Sequence, residues 1–196
     1  MSIEPSNIDL EDLVETKVVQ IRPLADQKNI DLHVQSPAER PKNIFQDGGK
    51  LTQILNNLLS NAVKFTPEGG RVRISYSLES DDRFLIRVED TGIGIPMHEQ
   101  DQIFEKFRQG TTTQEERDHV KREFGGTGLG LSIVRELSRL LGGDVELDSE
   151  FGKGSMFSVT LPCQAPEETA EDETLQESST GTLNRITSVD LINRED

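Results

Sequence analysis

The feature that most constrains the fold of this chain is an amphipathic helix with an unusual polar face. Its apolar residues recur at steps of three and four, the pattern of one buried helix face: Leu51, Ile54, Leu55, Leu58, Leu59, Ala62 and Val63. Asn57 and Asn61 share a second face, and Lys64 follows them. Asn is a poor helix-interior residue because its amide competes for backbone hydrogen bonds. The pattern therefore predicts either a solvated face or a site that needs amide oxygens beside a cation.

The remaining periodicity predicts two more helices and about five strands. Helices are expected over about 9–28 and 129–141, besides the asparagine helix at 48–65, with a shorter one over 98–107. Asp9 is the expected N-cap of the first helix, in which Pro23 predicts a kink or an early stop. Short strands are expected near 30–34 and 43–46, with hairpins around 80–82 and Glu150–Ser155. This order predicts an α+β two-layer sandwich, in which three helices cover one face of a mixed, mostly antiparallel sheet of about five strands.

Composition and charge exclude several classes of protein. The formal net charge of −15 argues against non-specific nucleic-acid binding, which depends on basic residues. No run of residues reaches the length of an apolar membrane span, and we expect no membrane contact and no signal peptide. The single cysteine, Cys163, excludes an intrachain disulfide and a cysteine-cluster metal site. Residues 163–196 hold nine acids and two arginines among few large apolar residues, which predicts an acidic, disordered tail.

A glycine cluster over 125–130 opens directly into the third helix. Such a cluster suits phosphate, because free backbone N–H groups and the helix dipole both favour an anion. The glycines at 126, 128 and 130 do not follow a strand as a dinucleotide fingerprint requires, and no Lys-Ser or Lys-Thr follows them as in a P-loop. Gly152-Lys153-Gly154-Ser155 is predicted to be a tight hairpin turn rather than a phosphate loop. The cluster alone therefore does not define a site.

Three segments taken together resemble the N, G1 and G2 boxes of sensor histidine kinases of two-component systems. They are Asn57–Thr66, Asp90–Pro96 and Gly126–Leu131, and they occur in the family's order. Ile103–Phe107 is similar to the family's F box, and Gly152–Phe157 to its last glycine motif. The resemblance covers residues 8–162 and implies the Bergerat fold, shared with gyrase, heat-shock chaperone and mismatch-repair ATPases. It divides the chain into a linker (1–8), an ATP-binding catalytic domain (9–162) and the tail (163–196).

The resemblance also implies a nucleotide site with ATP and Mg²⁺ as its cofactors. Asn61 would bind Mg²⁺ through its amide oxygen, and Asn57 would support phosphate or metal-bound water. Lys64 would neutralise phosphate charge, and Asp90 would accept the adenine amino group. Residues 109–127 would form a lid, with Arg108 near the γ-phosphate. The full implied set is Asn57, Asn61, Lys64, Phe65, Asp90, Gly92, Gly94, Ile95, Arg108, Gly126, Thr127, Gly128, Leu129 and Gly130.

The implied activity is transfer of a phosphoryl group to a histidine that this chain does not supply. His33, His98 and His119 lack the sequence context of the family's acceptor, and we expect them to be surface residues. The chain is then a cytoplasmic fragment that begins after a dimerisation domain and is inactive without it, with a response regulator receiver domain as a further partner. Hydrolytic relatives carry a Glu where this chain has Asn57, which argues against an efficient ATPase. The alternative is a non-catalytic nucleotide-sensing module.

Overall fold

A computed structural model describes residues 2–37, 41, 43–105 and 129–166. The described residues belong to one compact unit, Met1–Pro166, and residues 167–196 lie outside the described residues. Four helices lie within the described ranges: α1 (Leu10–Gln27), α2 (Gly48–Phe65), α3 (Met97–Gln100) and α4 (Gly130–Leu140). Seven strands lie there too: β1 (Ser6–Ile8), β2 (Asp31–Gln35), β3 (Ile44–Gln46), β4 (Arg71–Ser80), β5 (Arg83–Asp90), β6 (Asp144–Glu150) and β7 (Gly154–Pro162).

Five of these strands form one sheet in the order β2-β4-β5-β7-β6. Strand β2 pairs parallel to β4, and the other three pairs are antiparallel. One face of the sheet buries apolar side chains under α1, α2 and α4, and the other carries polar ones such as the Arg73–Glu89 pair, 3.4 Å apart across β4 and β5. This is the predicted two-layer α+β sandwich with a mixed, mostly antiparallel sheet.

The asparagine helix is the central helix of the helical layer. It contacts α1, α4 and β5, and all seven of its predicted apolar residues are buried. Leu55 is fully buried among them, so truncating it to Ala should cost about 2–5 kcal/mol of stability. The helix begins at an N-cap, Asp47, whose side chain accepts a hydrogen bond from the Lys50 N–H at 2.9 Å. Its polar face is consequently held in a fixed position against the rest of the domain.

Helix α1 passes through Pro23 without ending there. Asp9 caps it as predicted, accepting from the N–H groups of Glu11 and Asp12 at 3.0 and 3.2 Å. Of the two outcomes predicted at Pro23, a kink or an early stop, the early stop is wrong, because the helix continues to Gln27. Proline removes the hydrogen bond to the carbonyl four residues earlier, at Val19, and Val19 is an exposed residue. Water can therefore replace the lost donor on this side of the helix.

Three further details differ from the sequence-based expectation. The short helix predicted over 98–107 is confined to Met97–Gln100, and residues 101–105 form turns, while 106 and 107 lie outside the described residues. Residues 6–8, within the predicted linker, form β1, which pairs antiparallel with β3. Ordered contacts also continue past Pro162, since Phe45 N–H donates to the Cys163 carbonyl and Ala165 N–H to the Phe45 carbonyl, both at 2.7 Å.

Within the described ranges, none of the helices is long and apolar enough to cross a bilayer.

Candidate functional site

Asp90 is a buried carboxylate at the end of β5. It continues the inward register of Phe84, Ile86 and Val88, so its side chain lies on the helix-covered face of the sheet. Its Oδ1 accepts a hydrogen bond from the Gly92 N–H at 2.8 Å, and the Ser155 backbone N–H donates to the same carboxylate. Burial raises the pKa of Asp90 above its ordinary value, these two donors oppose the rise, and the charge of Glu89 adds to it.

Gly92 and Gly94 allow the segment after Asp90, residues 91–96 (the G1 loop), to pack against neighbouring backbone. A β-carbon on residue 92 would stand 2.6 Å from the Phe65 carbonyl oxygen and 2.5 Å from Asp90 Oδ1. Gly94 has φ +64°, and a β-carbon there would meet the backbone of Glu150. Only glycine fits both positions without displacing backbone, so the G1 loop runs between the end of α2 and the β6–β7 turn.

The β6–β7 turn anchors the far end of the G1 loop through Ser149. The Ser149 hydroxyl accepts from the Ile95 N–H at 2.8 Å and donates to the Gly154 carbonyl at 2.9 Å. The Gln100 amide nitrogen then donates to the carbonyls of Ile95 and Ser149, each at 2.9 Å. Gly154 has φ +130° and packs against the backbone of Asp90. The last glycine motif is thus the hairpin turn that was predicted, and it supports the strand end that carries Asp90.

The polar face of α2 meets the N-terminus of α4. A β-carbon on Gly130 would stand 3.0 Å from Asn57 Oδ1 and 3.6 Å from Asn61 Nδ2. The Asn57 amide nitrogen donates to the Gln53 carbonyl at 2.9 Å, which leaves its oxygen on the side of Gly130. Leu129 is the N-cap of α4 and makes no side-chain capping bond. The first N–H groups of a helix lack intrahelical partners, so this junction combines the Asn57 amide oxygen with backbone donors.

Lys64 and Phe65 end α2 beside the G1 loop. The Lys64 ammonium lies 4.8 Å from the centre of the Phe65 ring, and burial lowers the pKa of Lys64. The Phe65 carbonyl accepts a hydrogen bond from the Ile93 N–H at 3.3 Å. One helix end therefore holds a partly buried cation next to the loop that begins at Asp90.

Not all of the predicted site residues can be placed. Arg108, Gly126, Thr127 and Gly128 lie outside the described residues, as do the predicted lid over 109–127 and His119. The other ten are described, and all of them belong to α2, the G1 loop with Asp90, or the start of α4. His33 on β2 and His98 on α3 are exposed.

Sequence reasoning missed Ser149 and Gln100. Ser149 had a detectable signal, since it occupies the inward register of β6 after Val145 and Leu147, where an apolar residue is expected. Gln100 had no such signal, because its contacts with Ile95 and Ser149 depend on the three-dimensional path of the G1 loop.

Comparison with known proteins agrees with this geometry. Residues 46–165 match the family described as histidine kinase-, DNA gyrase B-, and HSP90-like ATPase. The chain is 43% identical over 146 residues to the autoinducer 2 sensor kinase/phosphatase LuxQ of Vibrio parahaemolyticus, covering 72% of this chain and 16% of LuxQ. It is 38% identical over 148 residues to the aerobic respiration control sensor protein ArcB of Escherichia coli, covering 76% of this chain and 18% of ArcB. It thus spans less than a fifth of the length of either relative.

Solved structures give the same assignment. Full-length ShkA in complex with AMPPNP superposes with a TM-score of 0.72 at 32% identity, over 85% of this chain and 32% of ShkA. A nucleotide-free crystal form of the catalytic domain of the histidine kinase ThkA superposes with a TM-score of 0.67 at 27% identity, over 84% of this chain and 97% of that domain. The chain therefore belongs to the family of histidine kinase-, DNA gyrase B-, and HSP90-like ATPases, and within it to the catalytic domains of histidine kinases.

Proposed function

We propose that this domain binds Mg²⁺·ATP and donates the γ-phosphoryl group to a histidine on a dimerisation domain outside this chain. The observation that carries the proposal is the convergence of two separated segments, the G1 loop and the start of α4, on α2. Gly92 approaches the Phe65 carbonyl, and Gly130 approaches Asn57 and Asn61. A base site beside Asp90 and a phosphate site beside the asparagines would then lie along one helix.

The adenine end of this site depends on Asp90. A buried carboxylate is costly unless hydrogen-bond donors satisfy it, and Gly92 and Ser155 supply two from the backbone. The adenine amino group would add a further donor. Because Gly92 and Gly94 have no side chains, the base could approach the backbone of the G1 loop closely. These features fit adenine.

The phosphate end depends on α4 and on the polar face of α2. Phosphate suits a helix N-terminus because the N–H groups and the dipole both favour an anion. Asn61 offers an amide oxygen, the kind of hard ligand that Mg²⁺ accepts alongside phosphate oxygens and water, and when bound the ion neutralises phosphate charge. Lys64 would add a cation close by, and its lowered pKa comes from burial, a cost that an anionic ligand would offset.

Transfer fits the described residues better than hydrolysis. Asn57 stands where hydrolytic relatives carry a Glu, and an amide cannot take a proton from water. Its nitrogen is already bound to the Gln53 carbonyl. In the transfer, the bond between the γ-phosphorus and the bridging oxygen of ADP breaks, and a bond to the acceptor imidazole nitrogen forms. The domain's part is to position and neutralise the triphosphate, which is the main demand of phosphoryl transfer.

We place the reaction in the cytoplasm, with the receiver domain of a response regulator as the next acceptor. The relatives LuxQ and ArcB are a sensor kinase/phosphatase and a control sensor protein, and signalling proteins of this kind support such a role. The chain lacks a histidine in the acceptor's sequence context, so we expect no autophosphorylation of this chain alone.

Two measurements test the proposal. Calorimetry should show Mg²⁺-dependent binding of AMPPNP to the wild-type chain. Asn61→Asp, which adds a charge at the metal ligand, should weaken that binding at least about tenfold, or about 1.4 kcal/mol. Asn56→Asp is the matched control, because it adds the same charge at an exposed asparagine of the same helix. Equal effects of the two substitutions would contradict the site.

The second measurement separates transfer from sensing. The chain is mixed with, and in a second sample fused to, a histidine kinase dimerisation domain, and labelled ATP is added. Acid-labile phosphohistidine on the added domain supports the kinase. Tight nucleotide binding without phosphohistidine in either sample would favour the nucleotide-sensing module instead.

A further inference from the structure

The ammonium group of Lys28 caps the C-terminus of α2. Its Nζ donates to the carbonyl oxygens of Val63 and Lys64 at 2.9 Å each and of Thr66 at 2.6 Å. These three carbonyls belong to the last turn of the helix and the residue after it. A lysine ammonium has three N–H donors, which matches the three acceptors. The contact joins residues 35, 36 and 38 positions apart in the sequence.

The remaining carbonyls of this turn are also satisfied. The last four carbonyls of a helix have no intrahelical donor and need another. Thr66 supplies the donors for Ala62, through its N–H at 3.1 Å and its hydroxyl at 2.6 Å. Ile93 of the G1 loop supplies the donor for Phe65. Lys28 and the G1 loop therefore bind neighbouring carbonyls of one helical turn.

Lys28 is itself fixed by the end of α1. It is the C-cap of that helix, and its N–H donates to the carbonyls of Ala25 and Asp26. Its own carbonyl accepts from the Gly69 N–H at 3.0 Å, in the loop that follows α2. Lys28 is half-buried, and a cation at a helix C-terminus also interacts favourably with the helix dipole. The backbone of Lys28 is thus hydrogen-bonded to the end of α1 and to the loop after α2, while its ammonium is hydrogen-bonded to the end of α2.

The turn that Lys28 binds carries two predicted nucleotide-site residues. The Lys64 carbonyl accepts a hydrogen bond from the Lys28 ammonium, and the Phe65 carbonyl accepts one from the Ile93 N–H of the G1 loop. Gly92 packs so closely on the Phe65 carbonyl that a shift of this turn would displace the loop that follows Asp90. A change at Lys28 would then be felt at both the cation and the base end of the site, although none of the described contacts places Lys28 in it.

We propose that Lys28 is a positioning residue for nucleotide binding. It holds the last turn of α2 so that Lys64 and the G1 loop keep the spacing that ATP requires. The inference rests on the proposed nucleotide site and adds to it a residue from outside the N, G1 and G2 boxes. Lys28 acts through Lys64 and Phe65 and does not touch the nucleotide.

The test compares AMPPNP binding by calorimetry, with Mg²⁺, in four chains: wild type, Lys28→Met, Lys28→Arg and Lys50→Met. Lys50 is the matched control, because its ammonium binds Asp47 and the Ser2 carbonyl near the first turn of the same helix, about 20 Å away along the axis. We expect Lys28→Met to bind about tenfold more weakly, which is about 1.4 kcal/mol. Lys28→Arg should recover part of the affinity, since arginine keeps the charge and N–H donors but presents them in a planar group. Lys50→Met should bind as the wild type does.

The outcomes separate this inference from the proposed function. If the wild-type chain does not bind AMPPNP, the proposed function fails. If the wild type binds and Lys28→Met binds equally well, Lys28 is a structural cap only and the inference is overturned. It is also overturned if Lys50→Met weakens binding as much, since the effect would then follow stability rather than position. If Lys28→Met does not fold, the neutral donor in Lys28→Gln replaces it, with the amide NMR shifts of Gly92 and Ile93 as the readout. Shifts unchanged from wild type there would overturn the inference too.

Discussion

The Gly92 α-carbon lies so close to the Phe65 carbonyl that a β-carbon on residue 92 would stand 2.6 Å from that oxygen. The end of the asparagine helix and the start of the G1 loop therefore meet backbone to backbone. Backbone cannot move aside as a flexible side chain can, because it is fixed here by the Ile93 hydrogen bond to the same carbonyl. The relative position of α2 and Asp90 thus depends on residue 92 having no β-carbon.

Gly92→Ala should separate the G1 loop from α2. Forcing an extra carbon into packed structure costs about 1–3 kcal/mol, and here the displaced atoms are those that position Asp90 and Phe65. We expect AMPPNP affinity to fall at least about tenfold in calorimetry. The unfolding free energy should fall by about 1–3 kcal/mol. Gly48→Ala is the control, because a β-carbon there would make an ordinary contact of 3.7 Å with Ile8. If Gly92→Ala binds AMPPNP as tightly as the wild type, the close approach of Gly92 to the Phe65 carbonyl is contradicted.

Nucleotide binding should weaken on acidification because of Asp90. Burial raises the pKa of Asp90 above its ordinary 3.8, so it takes up a proton at a higher pH than an exposed aspartate does. The protonated carboxyl no longer offers two acceptor oxygens to the adenine amino group. Affinity for AMPPNP should therefore fall as the pH drops through the raised pKa, with the loss beginning above pH 3.8.

Asp90→Asn provides the control for this pH dependence. The variant cannot titrate at residue 90, so its weak residual binding should lack the component of the pH dependence that comes from this group. In the apo wild type, Asp90 should make a contribution to stability that is lost as the pH rises through its raised pKa, and Asp90→Asn should lack that loss. A raised folded-state pKa means that the ionised form of Asp90 destabilises the folded protein at pH values above that pKa. A stability difference between wild type and variant that stays constant as the pH rises through this range would contradict the assigned direction of the pKa shift.

A half-buried serine, Ser149, and a fully buried one, Ser138, should respond differently to alanine substitution. The Ser149 hydroxyl bonds the Ile95 N–H and the Gly154 carbonyl, so Ser149→Ala leaves both without that partner and should cost about 1–3 kcal/mol. Ser138 is fully buried in α4, and its hydroxyl has no hydrogen-bond partner among the described residues. Ser138→Ala should then be neutral or stabilising by up to about 1 kcal/mol. Chemical denaturation of the two variants measures both changes, and equal losses would contradict the hydrogen-bond assignment.

The parts of this domain that the sequence predicts are those encoded by local patterns. Periodicity predicts α2 and its buried face, and the alternation of β5 carries Asp90 inward at the strand end. The contact of Lys28 with the end of α2 has no local signature, because it depends on how α1 packs. Strand β1 is too short and polar to show a pattern, and its pairing with β3 is also a tertiary contact. The spacing of motifs along the sequence identifies the N, G1 and G2 boxes. It does not identify the residues, such as Lys28, that hold these segments in position.

Asp47 should make the stability of the domain sensitive to acid. Burial alone would raise the pKa of Asp47, but hydrogen bonds from the Lys50 ammonium at 2.6 Å and from the Glu4 and Lys50 N–H groups at 2.9 Å each lower it below its ordinary 3.8. A folded-state pKa below the unfolded one adds stability that is fully present above pH 3.8 and is lost as the pH falls through the folded value.

Asp47→Ala should therefore lower the unfolding free energy by about 1–3 kcal/mol at pH 7, through loss of the helix cap and of the charged hydrogen bonds. The gap between wild type and variant should narrow as the pH is lowered below 3.8, because the wild-type carboxylate then becomes protonated as well. Urea denaturation at several pH values measures the gap. Asp9→Ala is the control, since Asp9 caps α1 at an exposed site through two backbone N–H groups. A gap at Asp47 that stays constant down to pH 3 would show that the charge of this carboxylate contributes nothing beyond the cap.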